Sequence, residues 1–247
     1  MVNMRAIPAA RLFATTTKKV PLAFKLQSQL HLPEYLKENY WWAYLHPKGL
    51  HIFERQWIVN LILWGNFTRL RDLALAELAS STPKSALQVA CVYGNFTEKL
   101  AQNLPNTKID VVDVAPIQLE NLSKKVADFR NVSIHHQDSA HLQFPDNSYD
   151  SVIVFFLLHE QPLEVRLHTI KEAVRVAKPG AKVVFVDYHN PTKLNPLRYV
   201  MIPILTQLEP FAMDMWRTTI ESWLPRVSSV SKETYFGGLY QKVVCTK

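Results

Sequence analysis

The chain has 247 residues and a formal net charge of +7, from 28 basic and 21 acidic side chains. Five basic residues precede the first acidic one, Glu34, so the remaining 23 basic residues nearly balance the 21 acidic ones. The sequence also contains no helix-turn-helix or RNA-binding pattern. Both observations argue against nucleic acid as a partner. Two cysteines, Cys91 and Cys245, are too few for a disulfide framework or a zinc cluster, and no apolar run reaches the ~18 residues of a transmembrane helix.

The N-terminal segment, residues 1–31, has the composition of an organelle presequence. Its first part, MVNMRAIPAARLFATTTKKVPLAFK, contains Arg and Lys, is rich in Ala and Thr, and lacks acidic residues. Arg11-Leu12-Phe13 supplies an apolar and cationic face. We therefore predict a mitochondrial transit peptide, with a disordered basic tail as the alternative.

Residues 32–82 are predicted to form an N-terminal helical cap. This region is helical in rhythm from Leu32 to Leu78, and it is rich in aromatic residues. The aromatic residues are Tyr40, Trp41, Trp42, Tyr44, Phe53, Trp57, Trp64 and Phe67. Ser80-Ser81-Thr82-Pro83 breaks the pattern, so a domain boundary is predicted there and the main domain is assigned to residues 83–247.

Strand and helix patterns alternate in the main domain. The predicted strands are Ala86 to Val92, Lys108 to Val112, Val132 to His136, Ser151 to Leu157 and Lys182 to Val186. The predicted helices are Thr97 to Asn103, Pro116 to Phe129 and Leu163 to Ala177. Such alternation predicts an α/β fold with a mostly parallel sheet whose ligands bind at the carboxyl edge of the strands.

The C-terminal part departs from this alternation. Val227 to Phe236 and Leu239 to Thr246 are strand-like and meet at Gly237-Gly238, which predicts an antiparallel hairpin closing a seven-stranded sheet. Residues 190–224 form an apolar insertion before it. We expect the insertion either to contact substrate and membrane or to pack on the sheet as a helix pair.

Four segments in order resemble the class I S-adenosylmethionine (SAM) methyltransferase superfamily. They are Leu87 to Thr97 (LQVACVYGNFT), Val111 to Pro116 (VVDVAP), Gln137-Asp138 with Phe144 to Asp150 (FPDNSYD), and Arg175 to Gly180 (RVAKPG). The resemblance implies a Rossmann-like fold and SAM as a ligand. It also implies that Asp113 binds the ribose diol and Asp138 the adenine amino group, although a turn Asp at a strand end and an exposed loop Asp remain the plain alternatives. The other implied SAM-binding residues are Ala90, Val92, Tyr93, Gly94, Val114, Ser139 and Phe155.

The first of these segments departs from the superfamily pattern. Ordinary members have an acidic residue where Gln88 stands and glycines where Ala90 and Val92 stand, since a Cβ obstructs the approach of the backbone to the methionine end of SAM. A decayed, non-binding loop is one interpretation. Because Gly94, Asp113 and Asp138 remain, we favour a loop changed only at the amino-acid end of the cofactor.

Three further segments make the resemblance more specific. Tyr40 to Pro47 (YWWAYLHP), Phe53 to Phe67 (FERQWIVNLILWGNF) and Val92 to Thr97 (VYGNFT) look like the RquA-type rhodoquinone biosynthesis proteins, over roughly Leu32 to the C-terminus. That resemblance implies conversion of ubiquinone to rhodoquinone, in which an amino group replaces a ring methoxy group. It further implies SAM as amino donor, a divalent metal such as Mn²⁺ as helper, and the matrix side of the mitochondrial inner membrane as the location.

Several residues are candidates for roles in that reaction. Gln88, Tyr93 and His159 are the candidate catalytic residues, and Tyr188, Phe211 and Trp216 are the candidate substrate contacts. His159, Asp187 and His189 follow the fourth and fifth strands and are weak candidates for metal ligands, with local hydrogen bonding as the alternative. Two rival functions remain open at this point: a SAM-dependent methyltransferase acting on a quinone or other lipid, and a non-catalytic quinone-binding scaffold.

Overall fold

The computed structural model describes residues 21–247, and a seven-stranded sheet forms its centre. The strands are β1 Ser85–Val89, β2 Lys108–Asp113, β3 Val132–His136, β4 Tyr149–Phe155, β5 Ala177–Tyr188, β6 Ser229–Tyr235 and β7 Tyr240–Thr246. Their order across the sheet is β3-β2-β1-β4-β5-β7-β6. The first five strands are mutually parallel, and β7 runs antiparallel to both β5 and β6. The predicted α/β fold with its closing hairpin is confirmed.

The helices of the main domain lie between these strands as the alternation predicts. They are α5 Phe96–Asn103, α6 Pro116–Lys125 and α7 Leu163–Val176. β1 ends at Val89, three residues before the predicted end, because Ala90 has φ 71°, a conformation that no strand residue adopts. β5 is longer than predicted and continues to Tyr188, which places Asp187 inside the strand and not after it.

Residues 32–82, all of them within the described range, contain four helices and one π-helical turn. They are α1 Glu34–Asn39, the π turn Trp41–Leu45, α2 Pro47–Phe53, α3 Gln56–Ile62 and α4 Phe67–Ala79. α4 lies before the predicted boundary at Ser80, yet Phe67, Leu70 and Leu75 are buried in the same core as the sheet. The part of this region that acts as a separate cap is therefore Glu34 to Ile62.

The predicted presequence falls largely on residues 1–20, outside the described range. Its described remainder contacts the main domain: the Leu22 amide donates to the Ser123 carbonyl at 3.0 Å, and the Gln27 amide to His136 Nδ1 at 2.9 Å. Leu22 and Phe24 also pack against the core. Residues 22–27 are thus attached to α6 and to the edge strand β3.

The insertion before the hairpin folds into α8 Leu197–Leu208, α9 Asp214–Arg217 and a 3₁₀ turn Ile220–Trp223. Met201 and Leu205 of α8 and Met215 and Trp216 of α9 belong to the buried core. Within residues 21–247, no helix has both the length and the apolar composition needed to cross a bilayer.

Candidate active site

A cavity of about 590 Å³ lies at the carboxyl edge of the parallel strands. Its walls come from the loops that follow β1, β2, β3 and β4, from the N-terminal cap, and from α8. Because carboxyl ends of parallel strands share one edge, residues distant in sequence, such as Val92, Asp113 and Asp138, face the same space.

The loop after β1 is held in place by the side chain of Gln88. This side chain is fully buried: its Nε2 donates to the Ala90 carbonyl at 2.9 Å and its Oε1 accepts from Thr97 Oγ1 at 2.9 Å. Gln88 therefore does not line the cavity, although Ala90 and Val92 do. The amide supports a strained turn, in which Ala90 takes the left-handed backbone conformation that a glycine would adopt without cost.

Gly94 has a left-handed backbone conformation that favours glycine, and it does not line the cavity. It has φ 72°, and an added Cβ would lie 2.7 Å from Gln56 Oε1 of α3. The same oxygen accepts from the Asn95 amide at 3.0 Å. The glycine thus lets the loop approach the cap closely.

Tyr93 joins the loop to the cap. Its hydroxyl donates to the Ala43 carbonyl at 2.6 Å and accepts from Gln118 Nε2 at 2.9 Å, and its ring stacks on Tyr44 with centroids 5.3 Å apart. Burial raises the pKa of Tyr93 far above its ordinary range. At neutral pH the Tyr93 hydroxyl therefore keeps its proton. It lines the cavity as a neutral group and connects the loop to the cap.

The residues expected to bind the nucleoside lie together. Asp113, Val114, Asp138, Ser139 and Phe155 all line the cavity. Asp113 accepts one backbone hydrogen bond on each oxygen, from Cys91 at 2.7 Å and Ala115 at 2.8 Å, and the Cys91 thiol also bonds to this carboxylate. Burial raises the pKa of Asp113, and these hydrogen bonds oppose the rise.

A buried cluster of ionisable groups forms another part of the wall. His159 Nδ1 lies 2.9 Å from Asp187 Oδ1, and His159 Nε2 lies 3.8 Å from Glu160 Oε1. Burial alone would lower the pKa of His159, but the Asp187 carboxylate and its hydrogen bond raise it to about 9. Burial raises the pKa of Glu160 to about 8 although His159 opposes it, and the Tyr44 hydroxyl donates to Glu160. His159 and Glu160 can thus hold and exchange protons near neutral pH.

Three cavity residues in this cluster were not anticipated from the sequence. Glu160 follows His159 directly, whereas Tyr40 comes from the cap and Glu209 ends α8. Glu160 was within reach of the sequence, because it is the neighbour of the candidate His159. Nothing in the spacing of Tyr40 and Glu209 signals that they meet, since 169 positions separate them.

The metal candidates do not form a ligand set. All the oxygens of Asp187 are engaged, by the amides of Leu158, His159 and Tyr188 and by the His159 ring, and His189 bonds to the Gly238 carbonyl away from the cavity. Within residues 21–247, no group of three His, Cys, Asp or Glu side chains is arranged to hold a metal ion. The residues named for Mn²⁺ therefore do not fit it.

Of the three expected substrate contacts, only Tyr188 lines the cavity. It packs edge-on against His159, with ring centroids 4.8 Å apart. Phe211 packs edge-on against Tyr35, and Trp216 is buried beneath α8, with the Arg198 guanidinium 5.4 Å from its ring. The insertion does contact the cavity, but through α8 and not through these two rings.

The mouth of the cavity is apolar and exposed. We define the mouth as the five side chains that both line the cavity and are 38% to 67% exposed: Leu61, Ile62, Trp64, Ile204 and Leu208. Leu61 and Ile62 end α3, Trp64 lies in the turn that follows it, and the other two lie on α8. Trp64 Nε1 contacts Met201 Sδ at 3.3 Å and connects the two sides. Monomeric proteins rarely expose contiguous apolar patches without a binding role.

Comparisons with known proteins agree with this architecture. Residues 86–180 match the model of a methyltransferase domain family. The demethylmenaquinone methyltransferase of Staphylococcus saprophyticus is 31% identical over 134 residues, which are 54% of this chain and 57% of that enzyme. The match thus spans little more than half of the relative.

Two solved structures share the fold at low sequence identity. An O-methyltransferase family protein from Burkholderia thailandensis aligns with TM-score 0.60 at 12% identity, over 83% of this chain and 61% of its own. Human N-acetylserotonin methyltransferase, solved in complex with SAM, aligns with TM-score 0.59 at 14% identity, over 87% of this chain and 62% of its own. These structures show that the chain shares their fold, and the matched segment is similar to a methyltransferase domain family.

Proposed function

We propose that the protein binds SAM and transfers its α-amino nitrogen to ubiquinone, replacing a ring methoxy group and forming rhodoquinone. One observation carries the proposal: a single cavity combines the two nucleoside carboxylates, a loop without an acidic residue, and an exposed apolar mouth. The carboxylates suit a nucleoside, and the mouth suits a lipid quinone.

The nucleoside end fits SAM. Asp113 lines the cavity at the end of β2, where a carboxylate can accept from the ribose hydroxyls, and Asp138 lines the same cavity. Val114 and Phe155 add apolar surface for the adenine ring. An intact nucleoside end is difficult to explain if the loop is merely decayed.

The amino-acid end supports amine chemistry. When SAM acts as a methyl donor, its ammonium group is only a point of attachment, whereas an amino donor must lose a proton before its nitrogen attacks. An α-amino group has a pKa near ~8 in water, and a nearby carboxylate favours the charged form. Because Gln88 is neutral and its side chain bonds to Ala90 of the loop and Thr97 of α5, β1 supplies no carboxylate here.

The proposed reaction balances without an added oxidant. The nitrogen lone pair forms the bond to the ring, and the methoxy oxygen leaves with its bonding electrons and takes up a proton as methanol. The N–Cα bond then breaks through loss of the Cα proton, passage of two electrons into the quinone ring and addition of water. The products are methanol, an α-keto acid and the quinol form of rhodoquinone. His159 and Glu160 are the groups placed to give and take these protons.

Variants that introduce a carboxylate at position 88 test whether the neutral charge of Gln88 matters for amination. In the double variant Gln88→Asp with Val92→Gly, we expect SAM binding to persist and amination to fall about tenfold, because a carboxylate raises the amine pKa by roughly one unit. The double variant Gln88→Asn with Val92→Gly has the same shape without the charge and serves as the control. Equal amination by the two variants would refute the role of charge.

Methylation of a quinone is the second candidate. The match to the demethylmenaquinone methyltransferase supports it, since that relative is named for methylation of a quinone precursor. Product analysis by mass spectrometry after incubation with SAM and a short-tailed ubiquinone separates the candidates: amination removes the methoxy group, whereas methylation adds to the ring or to an oxygen. Calorimetric titration with SAM tests the scaffold alternative, which requires that SAM does not bind.

The apolar mouth supports docking on a membrane, and we place the reaction at the mitochondrial inner membrane. Trp64 and the aliphatic side chains of α3 and α8 would enter the interface, so that the quinone passes from lipid to cavity without crossing water. The mitochondrial location rests on the composition of residues 1–31.

Co-sedimentation with vesicles tests this docking. We expect Leu61→Glu with Ile204→Glu to reduce binding to vesicles of inner-membrane lipid composition, because both changes place charge on the mouth. Val230→Glu is the matched control, since Val230 is 43% exposed on β6 and does not line the cavity. Binding that is unaffected by the first change and reduced by the second would contradict the assigned surface.

A further inference from the structure

Residues 22–27, which we call the N-terminal strap, are connected to the nucleoside end of the cavity although none of these six described residues lines it. β2 ends in Asp113, and Val114 follows; both line the cavity. Two chains of hydrogen bonds lead to these two residues, and both begin at Gln27. The strap can therefore influence the site without touching a ligand.

The first chain passes through His136, the last residue of β3. The Gln27 amide donates to His136 Nδ1 at 2.9 Å, and His136 Nε2 lies 3.1 Å from the Val114 carbonyl oxygen. An amide can only donate and a carbonyl can only accept, so the imidazole proton lies on Nε2. His136 is 4% exposed and pairs with Asp113 in the sheet, so both hydrogen bonds are shielded from water.

The second chain passes through two glutamines. The side-chain amides of Gln27 and Gln143 exchange two hydrogen bonds, each of 2.8 Å. The Gln143 amide then donates to Gln137 Oε1 at 2.9 Å, and the Gln137 amide donates to the Asp113 carbonyl at 3.0 Å. The link between Gln27 and Gln143 is exposed to solvent, so we expect this chain to contribute less than the one through His136.

The strap is itself anchored on the main domain. The Leu22 amide donates to the Ser123 carbonyl of α6 at 3.0 Å, and Leu22 and Phe24 pack against the core. Beyond the strap the chain continues into α1, whose Tyr35 lines the cavity. Gln27 therefore lies between an anchored segment and the cavity wall, and its position is fixed from both sides.

We propose that Gln27 is a positioning residue for SAM binding: through His136 and Gln143 it holds Asp113 and Val114 in the conformation that receives the ribose. This inference rests on the proposed function for SAM as the ligand. A carboxylate that is already in place loses little conformational entropy when the cofactor binds, so the hydrogen bonds that hold it contribute to affinity. Gln27 acts only through its neighbours and does not contact the cofactor.

Two substitutions of His136 test the first chain. In His136→Gln the side-chain nitrogen can still donate to the Val114 carbonyl, but the acceptor for the Gln27 amide is lost. In His136→Asn the side-chain oxygen can still accept from Gln27, but the donor to Val114 is lost. Because the proposed chain needs both bonds, each variant should raise the Kd of SAM about fivefold in calorimetric titration. A His136→Gln variant that binds SAM like the parent would show that His136 acts on Val114 alone, and would overturn the role of Gln27.

Substitutions at the exposed link test the second chain without disturbing the core. Gln27→Ala and Gln143→Ala should each raise the Kd of SAM about threefold, and the double variant should do no more than either alone, because all three break the same link. Gln29→Ala, at an exposed glutamine two positions further on, is the matched control and should leave the Kd unchanged. Additive effects in the double variant, or a Gln27→Ala variant that follows the control, would overturn the proposal.

Binding of a second ligand separates positioning from a general loss of structure. The Kd of a short-tailed ubiquinone, measured by quenching of tryptophan fluorescence, should stay the same in all these variants, because the quinone is assigned to the opposite, apolar side of the cavity. Parallel weakening of both ligands would overturn the inference. If the variants weaken SAM binding as expected but the parent does not aminate the quinone, the proposed function fails and the positioning role stands. If amination by the parent is normal and the variants bind SAM like the parent, only the positioning role fails.

Discussion

Replacing Glu160 by glutamine should change how folding stability depends on pH. Burial raises the pKa of this carboxyl from 4.5 to about 8 in the folded protein, although His159 opposes the rise. The pKa of Glu160 is higher in the folded than in the unfolded protein. Its contribution to folding stability is therefore fully present below about pH 4.5 and is lost as the pH rises through about 8. Glutamine is always neutral, and its Oε1 can still accept from the Tyr44 hydroxyl.

The size of the effect follows from the pKa difference. A rise from 4.5 to about 8 corresponds to ~4 kcal/mol of lost folding free energy at pH 8. Since Glu160 shares its titration with His159, 3.8 Å away, only part of that amount belongs to Glu160 alone. The variant should therefore be more stable than the parent at pH 8, by at most ~4 kcal/mol, and nearly equal to it at pH 5.

Urea unfolding at the two pH values measures this difference. Glu164→Gln, at the exposed start of α7, is the matched control and should follow the parent at both. A Glu160→Gln variant that is less stable than the parent at pH 8, or that differs from it equally at both pH values, would refute the claim that burial keeps this carboxyl neutral.

Three further outcomes are expected. Tyr93→Phe removes two hydrogen bonds between the loop and the cap and should lower the free energy of unfolding by ~1–3 kcal/mol, measured by urea unfolding; an unchanged value would show that the stacked ring alone holds the loop. Asp113→Ala should abolish SAM binding in calorimetry, while Asp146→Ala, which breaks an exposed ion pair with Arg175, should not; retained binding in the first would place the ribose elsewhere. Deleting residues 1–31 should lower the Tm, because it removes the contacts of residues 22–27 with the main domain; an unchanged Tm would make those contacts unimportant.

The sheet could be predicted because its signals are local. Buried strands give continuous apolar runs, and the order of the four motif segments fixes the connectivity, so the seven-stranded topology is recovered. The strand ends were less accurate, because Ala90 departs from the extended conformation without the glycine that usually marks such a turn. α4 was assigned to the cap, although it packs in the core of the main domain. A helix of the cap and a helix of the core have similar apolar patterns, so the sequence does not separate them.

The nucleoside end of the site was predictable, and the opposite wall was not. Asp113 and Asp138 follow strands whose carboxyl ends meet at one edge, so their proximity follows from topology alone. Tyr40 and Glu209 meet only because the π turn and the end of α8 fold over that edge, which no sequence period encodes. Gln88 was expected to affect the cofactor directly, whereas its side chain acts on the loop from behind.

The central claim concerns the origin of one nitrogen atom. The direct measurement is incubation of the protein with short-tailed ubiquinone and SAM labelled with heavy nitrogen at its α-amino group, followed by mass spectrometry of the extracted quinone. The proposed reaction predicts a ring amine that carries the label, with release of methanol and of an unlabelled α-keto acid. A quinone that keeps its methoxy groups and gains a methyl group would contradict it.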